Sequence, residues 1–190
     1  MLMKTTYKIL TAGLLFLALG FTGWYMRDSS LFVNEQPLLP GSSRKSVVVK
    51  DATIQGAPTQ LNIPSLSMTL PIQNGVYNPR TKQWTLSLNE AQYATVTPMP
   101  NNKAGNTFIY GHYRTEVFER LHDIQAGAQA IVSTGNGHTF TYQLTSAHIT
   151  NPSDTSLFKY QGPPILTIQT CSGLFFQNRQ LFTFKLVNAV

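Results

Sequence analysis

Ala130-Ile131-Val132-Ser133-Thr134-Gly135-Asn136-Gly137-His138-Thr139-Phe140-Thr141-Tyr142-Gln143-Leu144 is the stretch whose reading decides the fold. Two runs rich in β-branched and aromatic residues, 130–134 and 140–149, flank Gly135-Asn136-Gly137, residues that readily adopt the left-handed backbone a tight turn requires. The stretch reads as a β-hairpin. On the N-terminal side, residues 61–66 and 68–73 read as two strands broken near Ser67, with a turn at Asn74-Gly75. Trp84, Leu86 and Leu88 then alternate as in a half-buried strand, and Asn89 is placed to cap a short helix. Residues 101–106 read as a loop and 107–113 as an aromatic strand, while Val117, Phe118, Leu121 and Ile124 have the spacing of one or two helical turns. On the C-terminal side, a long loop with Asn151-Pro152 and Pro163-Pro164 leads to strands at 165–171 and 180–187. About eight strands, few helices and no internal repeat predict a mostly β domain closed, or nearly closed, into a small barrel. An aromatic content of 11%, with thirteen Gly and eleven Pro spread along the chain, suits short strands joined by turns.

The N-terminus has a different character. Lys4 and Lys8 precede an uncharged run at 9–26, which Arg27 and Asp28 end and which carries Trp24 and Tyr25 at its far side. At a helical rise of about 1.5 Å per residue the run spans roughly 27 Å, close to a hydrocarbon core of about 30 Å. It is expected to be an uncleaved transmembrane anchor, with residues 1–8 in the cytoplasm and the rest exported. A cleaved signal peptide is the competing reading, because Ala18-Leu19-Gly20 resembles a small-x-small cleavage site. Residues 27–60, rich in Ser, Pro, Gly, Asn and Gln, read as a linker or stalk in which 47–49 could form a short strand, and residues 61–190 as the folded domain. The net charge of +6 divides evenly, six basic against three acidic residues up to position 60 and eight against five after it. With no Lys/Arg stripe, nucleic-acid binding is unsupported.

Cys171 is the one cysteine, so an exported chain has no internal disulfide to form. In Leu166-Thr167-Ile168-Gln169-Thr170-Cys171, Leu166 and Ile168 share one strand face, and Thr167, Gln169 and Cys171 the other. Parity and position alone leave two readings, a small buried hydrophobe or a reactive thiol at a strand end. A thiol nucleophile needs a base or a positive neighbour, since a free thiol with a pKa of about 8.5 is only a few per cent thiolate at neutral pH. Of four histidines, His112 stands out: it closes the aromatic strand Phe108-Ile109-Tyr110-Gly111-His112 directly after a glycine that permits close backbone approach. His122, His138 and His148 read as exposed or hydrogen-bonded histidines, and their spacing matches no zinc site, so neither metal nor cofactor is expected. Arg179 opens the last strand eight residues after Cys171. Adjacent antiparallel strands would return it beside the thiol, where a guanidinium can donate to an oxyanion or a substrate carbonyl.

These residues resemble the sortase family. Thr167-Ile168-Gln169-Thr170-Cys171 is similar to its Thr-Leu-x-Thr-Cys signature, Gly111-His112 to the end of its histidine strand, and Arg179 to the arginine that opens its final strand. The likeness extends over about 63–187 and includes Leu70-Pro71-Ile72 and Thr141-Tyr142-Gln143-Leu144. Ile168 stands where Leu is usual, and Glu90 is the one acid between 84 and 106, so no family calcium site is visible. The resemblance implies an eight-stranded sortase-type barrel with short helices and a cysteine transpeptidase. Such an enzyme cleaves a Leu-Pro-x-Thr-Gly-like sorting signal of surface proteins through a thioester on Cys171. It passes the acyl group to an amine on a peptidoglycan precursor or pilin. His112 would be the acid/base, and Arg179 with the backbone near Thr170 the oxyanion stabiliser. Leu157 and Phe158 in the 150–164 loop would shape the substrate groove. Phe175 and Phe176 would either line the acceptor side or simply pack their loop. The lack of a second hydrophobic segment after Val187 points to single-anchor, non-pilus-type members. A hydrolytic cysteine peptidase and a non-enzymatic, membrane-anchored binding barrel are the rival readings.

Overall fold

The computed structural model describes residues 52–190; the apolar run at 9–26, the strand expected at 47–49 and most of the 27–60 segment lie outside the described residues. Strand β1 (Pro58–Ile63) leads through a 3₁₀ turn, Pro64–Leu66, into β2 (Met68–Gly75). Pro64 suits the first helical position, where its missing N–H has no partner to lose. The break falls at Ser67, which is left-handed at φ 46°, but the last three residues of the expected first strand are this turn. β1 starts at Pro58, and the chain before it is tied to the 98–102 loop. Gly56 N–H donates to the Pro100 carbonyl at 3.2 Å and Asn102 Nδ2 to the Ala52 carbonyl at 3.0 Å.

Residues 84–88 depart from expectation. β3 (Tyr77–Asn78) and β4 (Gln83–Trp84) form a separate two-stranded ribbon, and Leu86 and Leu88 beyond it are exposed. Asn89 caps no helix, because the chain enters β5 (Ala91–Ala94), which pairs parallel with β2, Ile72 opposite Ala91. Pairing within the barrel outweighs the local capping preference there. The chain continues through β6 (Asn106–Tyr110), a 3₁₀ helix Glu119–Asp123, β7 (Gln129–Thr134), β8 (Thr139–Thr150), a 3₁₀ helix Ser156–Lys159, β9 (Ile165–Ser172) and β10 (Asn178–Ala189). The helical spacing at 116–124 is thus a short 3₁₀ segment. The β7–β8 hairpin turns at Gly137, φ 88°, and is closed by Thr134 N–H donating to the His138 carbonyl at 2.9 Å.

Eight strands close a barrel in the order β1-β2-β5-β6-β9-β10-β8-β7. Its interior is filled by alternate residues of each strand, among them Leu61, Ile63, Ile109, Phe140, Leu166, Ile168, Phe182 and Phe184, all essentially inaccessible. Burying each such side chain contributes about 1.5–3 kcal/mol. A second cluster lies on the outer face of β5, β6 and β10, where Ala94, Phe108, Tyr110 and Leu181 are covered by Trp84, Leu157 and Phe158. The 3₁₀ helix Ser156–Lys159 therefore roofs part of the barrel wall, and beside that roof the outer wall becomes a groove.

Candidate active site

Outward-facing rows of β6, β9 and β10 run side by side. β6 and β9 are parallel, with Phe108 opposite Thr167 and Tyr110 opposite Gln169; β9 and β10 are antiparallel, with Cys171 opposite Arg179. Gly111 N–H donates to the Gln169 carbonyl at 3.1 Å, extending the β6–β9 ladder past Tyr110. The next outward position on that strand is His112. Parity thus puts His112, Cys171 and Arg179 on one face of three neighbouring strands, and all three line one open groove of about 820 Å³.

Packing fixes the backbone before His112. A Cβ on Gly111 would lie 2.8 Å from Val117 Cγ1 and 2.9 Å from a Phe118 ring carbon, and both neighbours are buried in the barrel core. Only a residue without a side chain lets the 117–118 turn press this close, and Phe118 N–H donates to the His112 carbonyl at 3.3 Å. Thr170 belongs to the inner row of β9. It is buried, and its hydroxyl donates to the Gly111 carbonyl at 3.2 Å. It also touches the groove, but its hydrogen bond ties the histidine strand to the cysteine strand.

Cys171 is half-buried and free. The Arg179 guanidinium is held in the turn between β9 and β10, where Nη1 donates to the Phe176 and Asn178 carbonyls, each at 3.1 Å. Both bonds use the same nitrogen, so the Nε–Nη2 edge of the fork takes part in neither. The long wall of the groove is aromatic: Trp84 meets Tyr77, Tyr110 and Phe158 at ring-centroid distances of 5.4, 5.5 and 5.8 Å. Of the loop residues named from sequence, Phe158 lines the groove, whereas Leu157 packs behind it against the outer cluster. Phe175 and Phe176 do not line it and are exposed. Trp84, read from sequence only as a strand residue, and Tyr77, to which the sequence reading gave no role, form a wall, because the β3–β4 ribbon folds over the outer face. The aromatic content of that ribbon was the one signal available.

Asp154 lies at the groove edge. Its carboxylate accepts from Ser156 N–H at 2.9 Å and from the Thr150 hydroxyl at 2.7 Å. The bonds to Ser156, then that to Thr150, hold its pKa down at about 2. The other histidines are occupied elsewhere or exposed: His122 Nε2 pairs with Asp123 at 3.0 Å, His138 Nδ1 lies 3.3 Å from the Val190 carbonyl, and His148 is exposed on β8. Among the described residues, no cluster of three or more His, Cys, Asp or Glu could hold a metal ion.

The sortase domain model matches residues 61–187, two thirds of the sequence and the whole of the barrel from within β1 to β10. The chain belongs to the sortase family. It is 29% identical over 126 residues to sortase SrtE1 of Streptomyces coelicolor, a match covering 60% of this chain; the chain spans only about a third, 36%, of that relative's length. The crystal structure of sortase E1 from the same organism, with a tripeptide in its active site, is similar with a TM-score of 0.56 at 26% identity, covering 70% of this chain and 90% of that one. Sortase C-1 of Actinomyces oris is similar with a TM-score of 0.57 at 26% identity over 68% of this chain and 73% of that one. Sortases are cysteine transpeptidases, and the barrel described above shares the fold of these solved sortases.

Proposed function

We propose that this sortase cleaves a Leu-Pro-x-Thr-Gly-like sorting signal through a thioester on Cys171 and transfers the acyl group to an amine acceptor of the cell envelope. The observation that carries the reading is the convergence of His112, Cys171 and Arg179 on one groove from three adjacent strands. The Cys171 thiolate adds to the threonine carbonyl of the signal, and the oxyanion is met by Arg179. The C–N bond breaks as His112 gives a proton to the leaving amine, which leaves a thioester. His112 then takes a proton from the incoming amine as that amine attacks, and the C–S bond breaks. The Trp84, Tyr77 and Phe158 wall is broad and apolar enough to take an extended peptide's apolar side chains.

Exclusion of water decides between transfer and hydrolysis, and the groove is open, so acceptor capture must outrun it. The acceptor is an amine of a peptidoglycan precursor or a pilin, and the acyl donors are surface proteins with C-terminal sorting signals. The run at 9–26 would hold the domain on the outer side of the cell membrane. Incubation with a Leu-Pro-x-Thr-Gly peptide and a short amine acceptor tests the assignment. Ligated product beside the shortened peptide supports it; free acid alone at every acceptor concentration would make the chain a hydrolytic peptidase.

A further inference from the structure

Leu174, Phe175 and Phe176 sit together at the tip of the β9–β10 loop, 91%, 87% and 52% exposed. The first two are the most exposed large apolar side chains among the described residues. The loop does not fold them inward. Gly173 at φ 87° and Phe176 at φ 57° both take left-handed backbone, and Phe176 N–H donates to the Gly173 carbonyl at 3.0 Å, closing a tight turn that presents the tip outward. Its base is fastened by Arg179 to the Phe176 carbonyl, and Tyr113 stands 6.1 Å, ring to ring, from Phe176. Leaving three neighbouring apolar side chains in water is costly unless something covers them.

Charge identifies the cover. No residue from 172 to 178 carries a charge, and residues 155–190 hold Lys159, Arg179 and Lys185 but no acid. The acids that follow the histidine strand lie outside this hairpin: Glu116, paired with Arg114 at 3.3 Å, and Glu119 on the following 3₁₀ helix. An uncharged apolar tip on a hairpin whose two charges, Arg179 and Lys185, are both positive suits the headgroup layer of an anionic bilayer, where apolar side chains enter the interface. The chain supplies proximity as well: residues 27–51 between the apolar run and the described domain could extend at most roughly 85 Å, so a weak contact is made at high local lipid concentration.

We propose that the 172–178 loop is a lipid-docking element that seats the Cys171 end of the groove on an anionic membrane surface. This rests on the reading of 9–26 as an anchor, and the two can fail separately. Docking would turn the groove toward molecules held at the membrane, and through the Phe176 carbonyl it would bear on the position of Arg179.

The test uses the full chain with Cys171→Ala, which removes the one native thiol. Leu174→Cys in that background carries a nitroxide label, and Ser153→Cys, exposed in the 151–155 segment, is the comparison. The proteins are reconstituted in vesicles of phosphatidylcholine and phosphatidylglycerol. Collisions with oxygen, enriched in lipid, are compared with collisions with a water-soluble nickel chelate. The expected result is oxygen-dominated collision at 174 and nickel-dominated collision at 153, with Phe175→Ser shifting the 174 label toward nickel. Equal nickel access at both positions refutes lipid docking while leaving the anchor intact. Protection of the 174 label from both reagents also refutes it, and shows that protein covers the tip. Failure of the chain to float with the vesicles overturns the anchor and the docking together.

Discussion

Replacing Gly111 by alanine tests how packing sets the histidine. The glycine's backbone is not left-handed, so alanine meets no dihedral penalty, and its cost lies in contacts of 2.8, 2.9 and 3.0 Å to Val117 Cγ1 and the Phe118 ring. Both partners are inaccessible and surrounded by core, so neither swings clear freely. Overpacking of this kind costs about 1–3 kcal/mol, roughly 5- to 160-fold in the unfolding constant. Relief can come from the 111–112 backbone lifting off β9, which strains the Gly111 N–H bond to Gln169 and the Thr170 bond to the Gly111 carbonyl. A displacement of about 1 Å at a catalytic group is worth on the order of 100-fold in rate. Urea unfolding and steady-state ligation of a sorting-signal peptide measure the two effects. Adding Val117→Ala removes the 2.8 Å contact and should recover part of the activity while lowering stability further. A Gly111→Ala enzyme with wild-type stability and turnover would refute this account of the turn.

Arg179→Ala should lower the acylation rate by roughly 100-fold, as loss of an oxyanion donor does. Arg179→Lys should recover little, since an ammonium cannot hold the Phe176 and Asn178 carbonyls and still present a second donor edge; near-normal single-turnover acylation in either would remove Arg179 from the mechanism. Asp154 has a folded pKa lowered to about 2 from 3.8, so the order it gives the 150–156 turn is complete above about pH 4 and lost as pH falls through about 2. Hydrogen exchange at the Ser156 amide, taken relative to its intrinsic rate, should therefore stay protected down to about pH 3 and be unprotected at all pH in Asp154→Ala, which removes the acceptor; protection in that variant would contradict the assignment.

The barrel was legible because its strands carry alternating or β-branched residues and its hairpin a glycine-rich turn. Parity of 166–171 likewise separated Leu166 and Ile168 from Cys171. Parity gives the face but not its cover, however. Thr167 lies on the outer face yet is fully buried, on the central of three paired strands between Phe108 and Thr183. Asn89 misled because residues 91–94 take their conformation from a parallel pairing with β2, which is distant in sequence. The aromatic wall was hidden for a similar reason: Trp84 reaches the groove through the fold of a two-residue strand pair that no local period encodes. Phe175 and Phe176 were associated with the site by sequence proximity, and the turn at Gly173 and Phe176 directs them away from it.

The central claim is that Cys171 carries the acyl group and His112 moves the protons. Intact-mass analysis of the chain quenched in acid after mixing with a Leu-Pro-x-Thr-Gly peptide tests it most directly. The account predicts an adduct of the acyl-peptide mass, sensitive to hydroxylamine and absent in Cys171→Ala. In His112→Ala it should form at least about 100-fold more slowly, and at unchanged rates when His122, His138 or His148 is replaced. Absence of any adduct with every such peptide, or formation in His112→Ala at the wild-type rate, would contradict it.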